Sequence, residues 1–208
     1  MSSIEIIPVN KRILASVVKL CSELPVSFAS LSTPAMHAAV CKEAIKATAD
    51  NSPSLRMLTA LMDNEPAGIV AVVTQWDRYW RGFFIKHPIL AFQMIKKRLF
   101  SRLRAKRTVS SKTETTKYPP CQDRHWSDNE PGIAKVVFIG VAASARNQGV
   151  AAKLYEAMFE HLAQAGVRRL DARINSNNAS SLRMHEKCSF VLYQETEDNV
   201  FATHDLPS

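Results

Sequence analysis

Residues 134 to 152 do more than any other stretch to limit what this chain can fold into. Ala134 to Ala143 is a β-rich run carrying Val136, Val137, Phe138, Ile139 and Val141. It passes through Ser144 and Ala145 into Arg146, Asn147, Gln148, Gly149, Val150, Ala151 and Ala152, where an apolar-periodic helix begins. A strand delivering the chain through a tight loop onto a helix start leaves several backbone N–H groups unpaired at the positive end of the helix dipole. Such a start accommodates a pyrophosphate. Gly149 and Ala151 carry little or no side chain, so phosphates can approach the main chain closely, and Arg146 adds a charged donor.

The surrounding pattern alternates. After the strand at about 134–143 come a helix over 149–165 stopped by Gly166, a strand over 168–174, a helix over 178–188, and strands over 189–195 and 199–205. Upstream, Ile4 to Val9 reads as a short strand. Asn10 suits the cap of a helix running to about Leu24, with Ile13, Val17, Leu20 and Leu24 on one stripe and Pro25 ending it. Thr33 and Pro34 open a second helix to about Ala49, before a break at Asp50 to Pro53. Leu55–Met62 and Ile69–Gln75 form an antiparallel hairpin joined through residues 63–68. This order predicts an α/β (α+β) fold with a sheet of mixed direction.

A chain of 208 residues closes one sizeable core, so a single domain over 1–208 is expected; 46% hydrophobic and 22% charged residues exclude a disordered or fibrous chain. Cys21, Cys41, Cys121 and Cys188 are scattered, with no CxxC pair and no zinc-like spacing, which predicts free thiols and no metal. The first ten residues lack the pattern of a signal peptide, and no apolar run approaches a membrane span of about 18 residues, so a cytoplasmic location is expected.

Net charge is +8 and unevenly placed: residues 78–107 hold ten Lys/Arg and no Asp or Glu. Within this basic insertion, at about 77–107, Pro88 opens a helix with Phe92, Ile95, Leu99 and Leu103 on one face and Lys96, Lys97, Arg98, Arg102 and Arg104 over much of the rest. The stretch suits an anionic ligand or surface, and equally a solvated face. Trp76, Tyr79, Trp80, Phe83 and Phe84 beside it fit a pocket wall or core. Residues 108–132 show no period and read as a flexible loop.

Arg146, two residues, Gly149, one residue and Ala151 resemble the Q/R-x-x-G-x-G/A coenzyme A motif of the GCN5-related N-acetyltransferase (GNAT) family. The run Asn177, Asn178, Ala179, Ser180, Ser181, Leu182, Arg183, Met184, His185, Glu186, Lys187, Cys188, Ser189, Phe190 resembles that family's second signature. The resemblance covers residues 133–195. It implies a mixed, mostly antiparallel central sheet flanked by helices and splayed at the cofactor strand, with 133–208 as the acetyl-CoA half and 1–132 as the acceptor half. It also implies acetyl-CoA as cosubstrate, its pantetheine arm beside Ile139 and Val141, its pyrophosphate on Arg146 to Ala152, and Asn178 either near the cofactor or only a helix cap. By the same resemblance the acetyl group would pass directly to an amine, with a main-chain N–H near Val141 stabilising the oxyanion.

His185 stands where the family commonly has a tyrosine, which would make it the acid that protonates the departing thiolate, or else a packing residue. Ser189 replaces the usual glycine, which suggests a less demanding turn. A general base is open among Asp128, Glu130, His204, Asp205 and water. The acceptor is a primary amine of unknown identity, with a small amino-sugar or nucleotide-linked metabolite as one reading. A protein, peptide or RNA amine is another, as is a non-catalytic module that senses acetyl-CoA or sits on a membrane surface.

Overall fold

Seven strands form one sheet in the order β1 (Ile4–Pro8), β2 (Leu55–Met62), β3 (Glu65–Val73), β4 (Ile133–Val141), β5 (Arg169–Asn175), β7 (Asn199–Asp205), β6 (Val191–Thr196). Every pairing is antiparallel except β4 with β5. The sheet is therefore mixed and mostly antiparallel, as expected. The computed structural model describes residues 3–24, 34–49, 55–90, 92, 117–121, 123–126 and 129–207.

Helices cover both faces. On one, α4 (Val150–Gln164) buries Leu154, Tyr155, Met158 and Leu162 against Val70, Val72, Ala134 and Leu170, and Leu182 of α5 (Ala179–Lys187) joins the same core. On the other, α1 (Leu14–Glu23) and α2 (Pro34–Ala49) bring Val17, Leu20, Val40 and Ala44 onto Met57, Ile69 and Ala71. The alternation of β-branched residues along β3 feeds both layers, so residues Ala67 to Val73 are all buried. Gly68 is needed here because a Cβ would lie 2.7 Å from Val150 Cγ1 and 3.3 Å from the Gly140 carbonyl. Its absence lets the first turn of α4 close onto the sheet.

Two boundaries differ from the sequence reading. The β2–β3 connection is the two-residue turn Asp63–Asn64, both with positive φ (51° and 65°), so β3 begins at Glu65 rather than Ile69. Two left-handed residues in a hairpin turn match the twist of the strands, and Asn and Asp tolerate that conformation. Pro66 pairs with Leu61 beside the register shift between Ala60 and Leu61, the kind of irregularity at which a strand tolerates proline. In α1 the helix starts at Leu14. Asn10 instead makes a turn before it, its Oδ1 accepting from the backbone N–H of Arg12 (3.0 Å) and Ile13 (3.4 Å).

The largest difference is α3 (Trp76–Lys86), which opens the basic insertion as an aromatic helix packed on the core. Trp76, Trp80 and Phe84, four apart, follow one another with ring centroids 5.6 Å apart, and Phe83 is buried. Arg78, Arg81 and Lys86 keep to the exposed side, Lys86 Nζ meeting Glu43 at 2.9 Å. Most of the expected basic helix from Pro88, including Ile95 to Arg104, lies outside the described residues, as do Thr33 and residues 108–116.

The described part of the supposed flexible loop is tied down at several points. Tyr118 Oη donates to Glu186 (3.0 Å), Gln194 N donates to the Pro119 carbonyl (2.9 Å) where Pro120 bridges to β6, and Arg124 forms a two-pronged pair with Asp205. The absence of any period hid this, because these residues are held by side-chain partners far away in sequence.

Candidate functional site

β4 and β5 pair only over Ile133–Lys135 and Arg169–Asp171. Beyond Lys135 the two strands part, while β4 continues to Val141 against β3 alone. The N–H of Ala142 donates to the Ala67 carbonyl on the β3 side (2.8 Å). Because a strand turns successive residues to opposite sides, the main-chain groups of Val141 and Ile139 then point away from β3, into the gap. Arg146 Nε reaches the Val141 carbonyl at 3.4 Å, from that side.

The chain leaves β4 through a single turn of 3-10 helix, Ala143–Ala145, whose Ala145 is buried. Asn147 (φ 62°) and Gly149 (φ 80°) are both left-handed, and between them they reverse the chain onto α4. Gln148 Nε2 braces the loop on the Ser144 carbonyl at 2.9 Å. Arg146, Asn147, Gln148 and Gly149 are exposed, whereas Val150 is buried against Gly68. Gly149 occupies the cap position without any side-chain cap, and the first turn has no acidic residue. The N–H groups of Val150, Ala151 and Ala152 thus lack intrahelical acceptors, and no carboxylate offsets the helix dipole. A Cβ on Gly149 would meet nothing within 4 Å, so the approach is open.

On the other side of the gap, Asn178 caps α5: its Oδ1 accepts from Ser181 N (3.1 Å) and Ser180 Oγ (2.9 Å). The cap reading holds in this geometry, and the side chain retains its amide N–H groups for another contact.

His185 is 2% exposed, and both ring nitrogens are engaged. Nδ1 lies 2.8 Å from the Ser181 carbonyl, which only accepts, so Nδ1 carries the proton and Nε2 accepts from Tyr155 Oη at 2.8 Å. Burial lowers its pKa to about 4, outweighing the Ser181 bond that favours the charged form. Tyr155 is driven the other way by the same burial and keeps its proton. The expected imidazolium donor is thus at odds with the surroundings of His185: the ring is neutral, enclosed by Tyr155 and Phe190, and links α4 to α5.

The proposed general bases lie elsewhere. Glu130 pairs with Arg168, Asp205 with Arg124, and His204 bonds the Ser189 carbonyl (3.0 Å) and stacks on Phe159. His204 and Asp205 sit opposite Leu170 and Arg169, where β4 and β5 are still paired, at the far end of β4 from Val141. Asp128 is outside the described residues.

Ser189 adopts φ 62°, so the turn before Phe190 demands the left-handed conformation that the usual glycine supplies freely. Ser189→Gly should raise stability by about 1 kcal/mol, the left-handed cost of a residue with a Cβ, about 1 to 2 kcal/mol, less the chain entropy that glycine loses on folding. An unchanged or lower urea midpoint would show that this conformation carries no such strain.

Lys135, where the gap begins, was not singled out in the sequence because it reads as a polar break in an apolar run. It is 2% exposed, its Nζ donating to Asn129 Oδ1 (3.0 Å) and the Trp126 carbonyl and lying 5.0 Å from the Trp126 ring. Asn129 in turn donates to Asp77 of α3 at 2.7 Å. β4, the preceding segment and α3 therefore meet at this ammonium.

The model of the Acetyltransferase (GNAT) family matches residues 117–190, which span the segment before β4, the gap and α5. No curated protein sequence matches the chain. Among solved structures, the PaiA N-acetyltransferase of Thermoplasma acidophilum in complex with coenzyme A superposes with TM-score 0.59 at 9% identity, over 98% of this chain and 99% of its own. AAC(6')-Iy in complex with the bisubstrate analog CoA-S-monomethyl-acetylneamine gives 0.57 at 18% identity, over 94% of each chain. The structure of yncA from Salmonella typhimurium with its cofactor acetyl-CoA gives 0.60 at 12%, over 99% of this chain and 95% of that one. The chain thus has the fold of the GNAT acetyltransferases, and the segment that forms its splayed strand and helix start matches that family's model.

Proposed function

We propose that the protein is an N-acetyltransferase that binds acetyl-CoA between β4 and β5 and passes the acetyl group directly to a primary amine. The observation that carries this is the parting of β4 from β5 beyond Lys135, directly beside an uncapped helix start. The N–H groups of Gly149, Val150, Ala151 and Ala152, with Arg146, Asn147 and Gln148 around them, hold the pyrophosphate. Ile139 and Val141 offer main-chain groups to the amides of the pantetheine arm, and Asn178 approaches from α5.

In the reaction a neutral amine attacks the thioester carbonyl, the C–S bond breaks as the tetrahedral intermediate collapses, and the proton the amine nitrogen loses, carried by water, ends on the coenzyme A thiolate to give the thiol. A main-chain N–H at Val141 stabilises the oxyanion; removing one such donor from an enzyme typically costs about 100- to 1000-fold. Direct attack agrees with the cysteines. Cys21 and Cys41 are buried in the core under α1 and α2, away from the gap, and burial raises the pKa of the Cys188 thiol. For the acceptor we infer a small amine such as an amino sugar or a nucleotide-linked metabolite. AAC(6')-Iy in its complex with an acetylneamine bisubstrate analog offers a precedent in the same fold.

Acetyl-CoA at a hundredfold excess over its dissociation constant should stabilise the folded protein by about 2.7 kcal/mol. Thiol release should then appear with at least one member of a panel of amines. A melting curve unmoved by saturating acetyl-CoA would overturn the binding site, whereas a shift without thiol release from any amine would leave a binding module.

A further inference from the structure

We propose that Lys135 is a positioning residue of the transfer reaction, a role that rests on the acetyltransferase reading above: its ammonium holds the rings of Trp76 and Trp126 as the wall along which the acceptor amine reaches the thioester. β4 turns alternate residues to the two faces of the sheet. Ala134 and Val136 enter the core under α4, so Lys135 between them stands on the opposite face. Asp171, its partner in the last pair before β4 and β5 part, lies between Leu170 and Ala172 of the same core and so shares that face. Under α4 the sheet is filled by Leu154, Tyr155 and Met158, all fully buried. An amine therefore comes to the fork from the face of Lys135.

The chain has three tryptophans, and they form one chain of rings beside this lysine. Trp76 lies edge to face with Trp126 and with Trp80, ring centroids 5.2 and 5.6 Å apart, and all three residues keep some exposure. Lys135 Nζ stands 5.0 Å from the Trp126 ring and 5.9 Å from that of Trp76, within reach of the attraction between a cation and a ring face. Its hydrogen bonds run to Asn129 Oδ1 (3.0 Å) and to the Trp126 carbonyl, and Asn129 Nδ2 carries the tether on to Asp77 in the first turn of α3 (2.7 Å). Opposite it, Asp171 is taken up by two N–H groups of Arg169, each at 3.0 Å.

Stability does not account for an ammonium here. An ion gives up its hydration at a cost that neutral oxygens and ring faces offset only in part, and an apolar side chain between Ala134 and Val136 would avoid it. An apolar side chain would not, however, bind a carbonyl, an amide oxygen and two rings from separate segments at one point.

The test is steady-state transfer from acetyl-CoA to whichever of glucosamine, putrescine, phenethylamine and lysine releases thiol fastest. Lys135→Met keeps the length of the side chain and removes its charge. It should raise the KM for that amine by at least about tenfold, since misplacement of a reactant costs up to about 100-fold. The KM for acetyl-CoA and the melting shift that acetyl-CoA gives should stay at wild-type values. Because the tryptophans report on the wall, titration with the amine should change the emission of the wild type and need at least about tenfold more amine in Lys135→Met. Asn129→Ala should raise the amine KM in the same way, and the double variant should be no worse than the worse single one, because both act through one tether. An amine KM untouched in Lys135→Met overturns the role, and so do additive effects of the two substitutions. Loss of the acetyl-CoA shift also overturns it, by placing the effect on the cofactor. If Lys135→Met does not fold, Asn129→Ala decides, and an unchanged amine KM there is fatal. A wild type that shifts with acetyl-CoA yet acetylates none of the four amines removes the acetyltransferase reading and this role with it, whereas wild-type turnover matched by Lys135→Met removes this role alone.

Discussion

Gly149→Asp should abolish the stabilisation by acetyl-CoA, removing essentially all of the roughly 2.7 kcal/mol expected at hundredfold saturation. Gly149 is the cap residue of α4 and supplies no side-chain cap, with open space where a side chain would begin. A carboxylate there faces the phosphates that the helix start would hold, and it also satisfies the orphan N–H groups as a cap. Gly149→Ala separates this from backbone strain. Alanine meets no neighbour, so its cost is the left-handed φ of 80°, about 1 to 2 kcal/mol of stability. The Ala variant should melt lower yet still respond to acetyl-CoA, while the Asp variant should not respond. Equal responses from both variants would place the pyrophosphate somewhere other than this loop.

Lowering the pH from about 6.5 to about 4 should cost about 3 kcal/mol of stability through His185 alone. The folded state holds this imidazole at a pKa of about 4, against 6.5 when unfolded. In that window the unfolded chain binds the proton and the folded chain does not, so stability falls as pH falls. Each unit of separation is worth about 1.4 kcal/mol, which sets the total. Carboxylates titrate in part of the same range, so the measurement is the difference between wild type and His185→Gln across urea unfolding at several pH values. Glutamine cannot titrate, and its stability should be the less pH-dependent of the two by that amount. Parallel pH profiles would mean that His185 is accessible and ordinary. The same neutral ring makes a second statement: turnover should show no loss above a histidine pKa, since no imidazolium is present to be titrated.

What could be read in advance divides along physical lines. β4, the loop to Gly149 and α4 were legible because local chemistry dictates them: β-branched alternation, small residues at a close approach, then a helical period. The α5 signature was legible as a pattern, but the chemistry of His185 was not. Its character comes from Tyr155, thirty residues away, and from burial that no local window reveals. The aromatic residues from Trp76 to Phe84 did repeat at helical spacing, yet the cations among them drew attention to the outer side of α3. Lys135 is the converse case, a charge whose partners Trp126 and Asn129 lie in a stretch without periodicity. Asp128 and Glu130 were candidate bases for a place near the central strand and His204 and Asp205 for one at the C-terminal edge, and the register put His204 and Asp205 at the far end of β4 from Val141.

The run through Pro119 and Pro120 has a bearing on how the protein behaves at high concentration. It lies beside β6, the last strand of the sheet, and its one carbonyl bond to Gln194 takes up a donor that a strand from another molecule would otherwise seek. Proline has no N–H, so this covering segment cannot itself serve as a template for further pairing. At the opposite border, β1 likewise ends in Pro8. Each border of the sheet thus loses one donor to a proline segment, which works against edge-to-edge association, the usual route from exposed strands to aggregates.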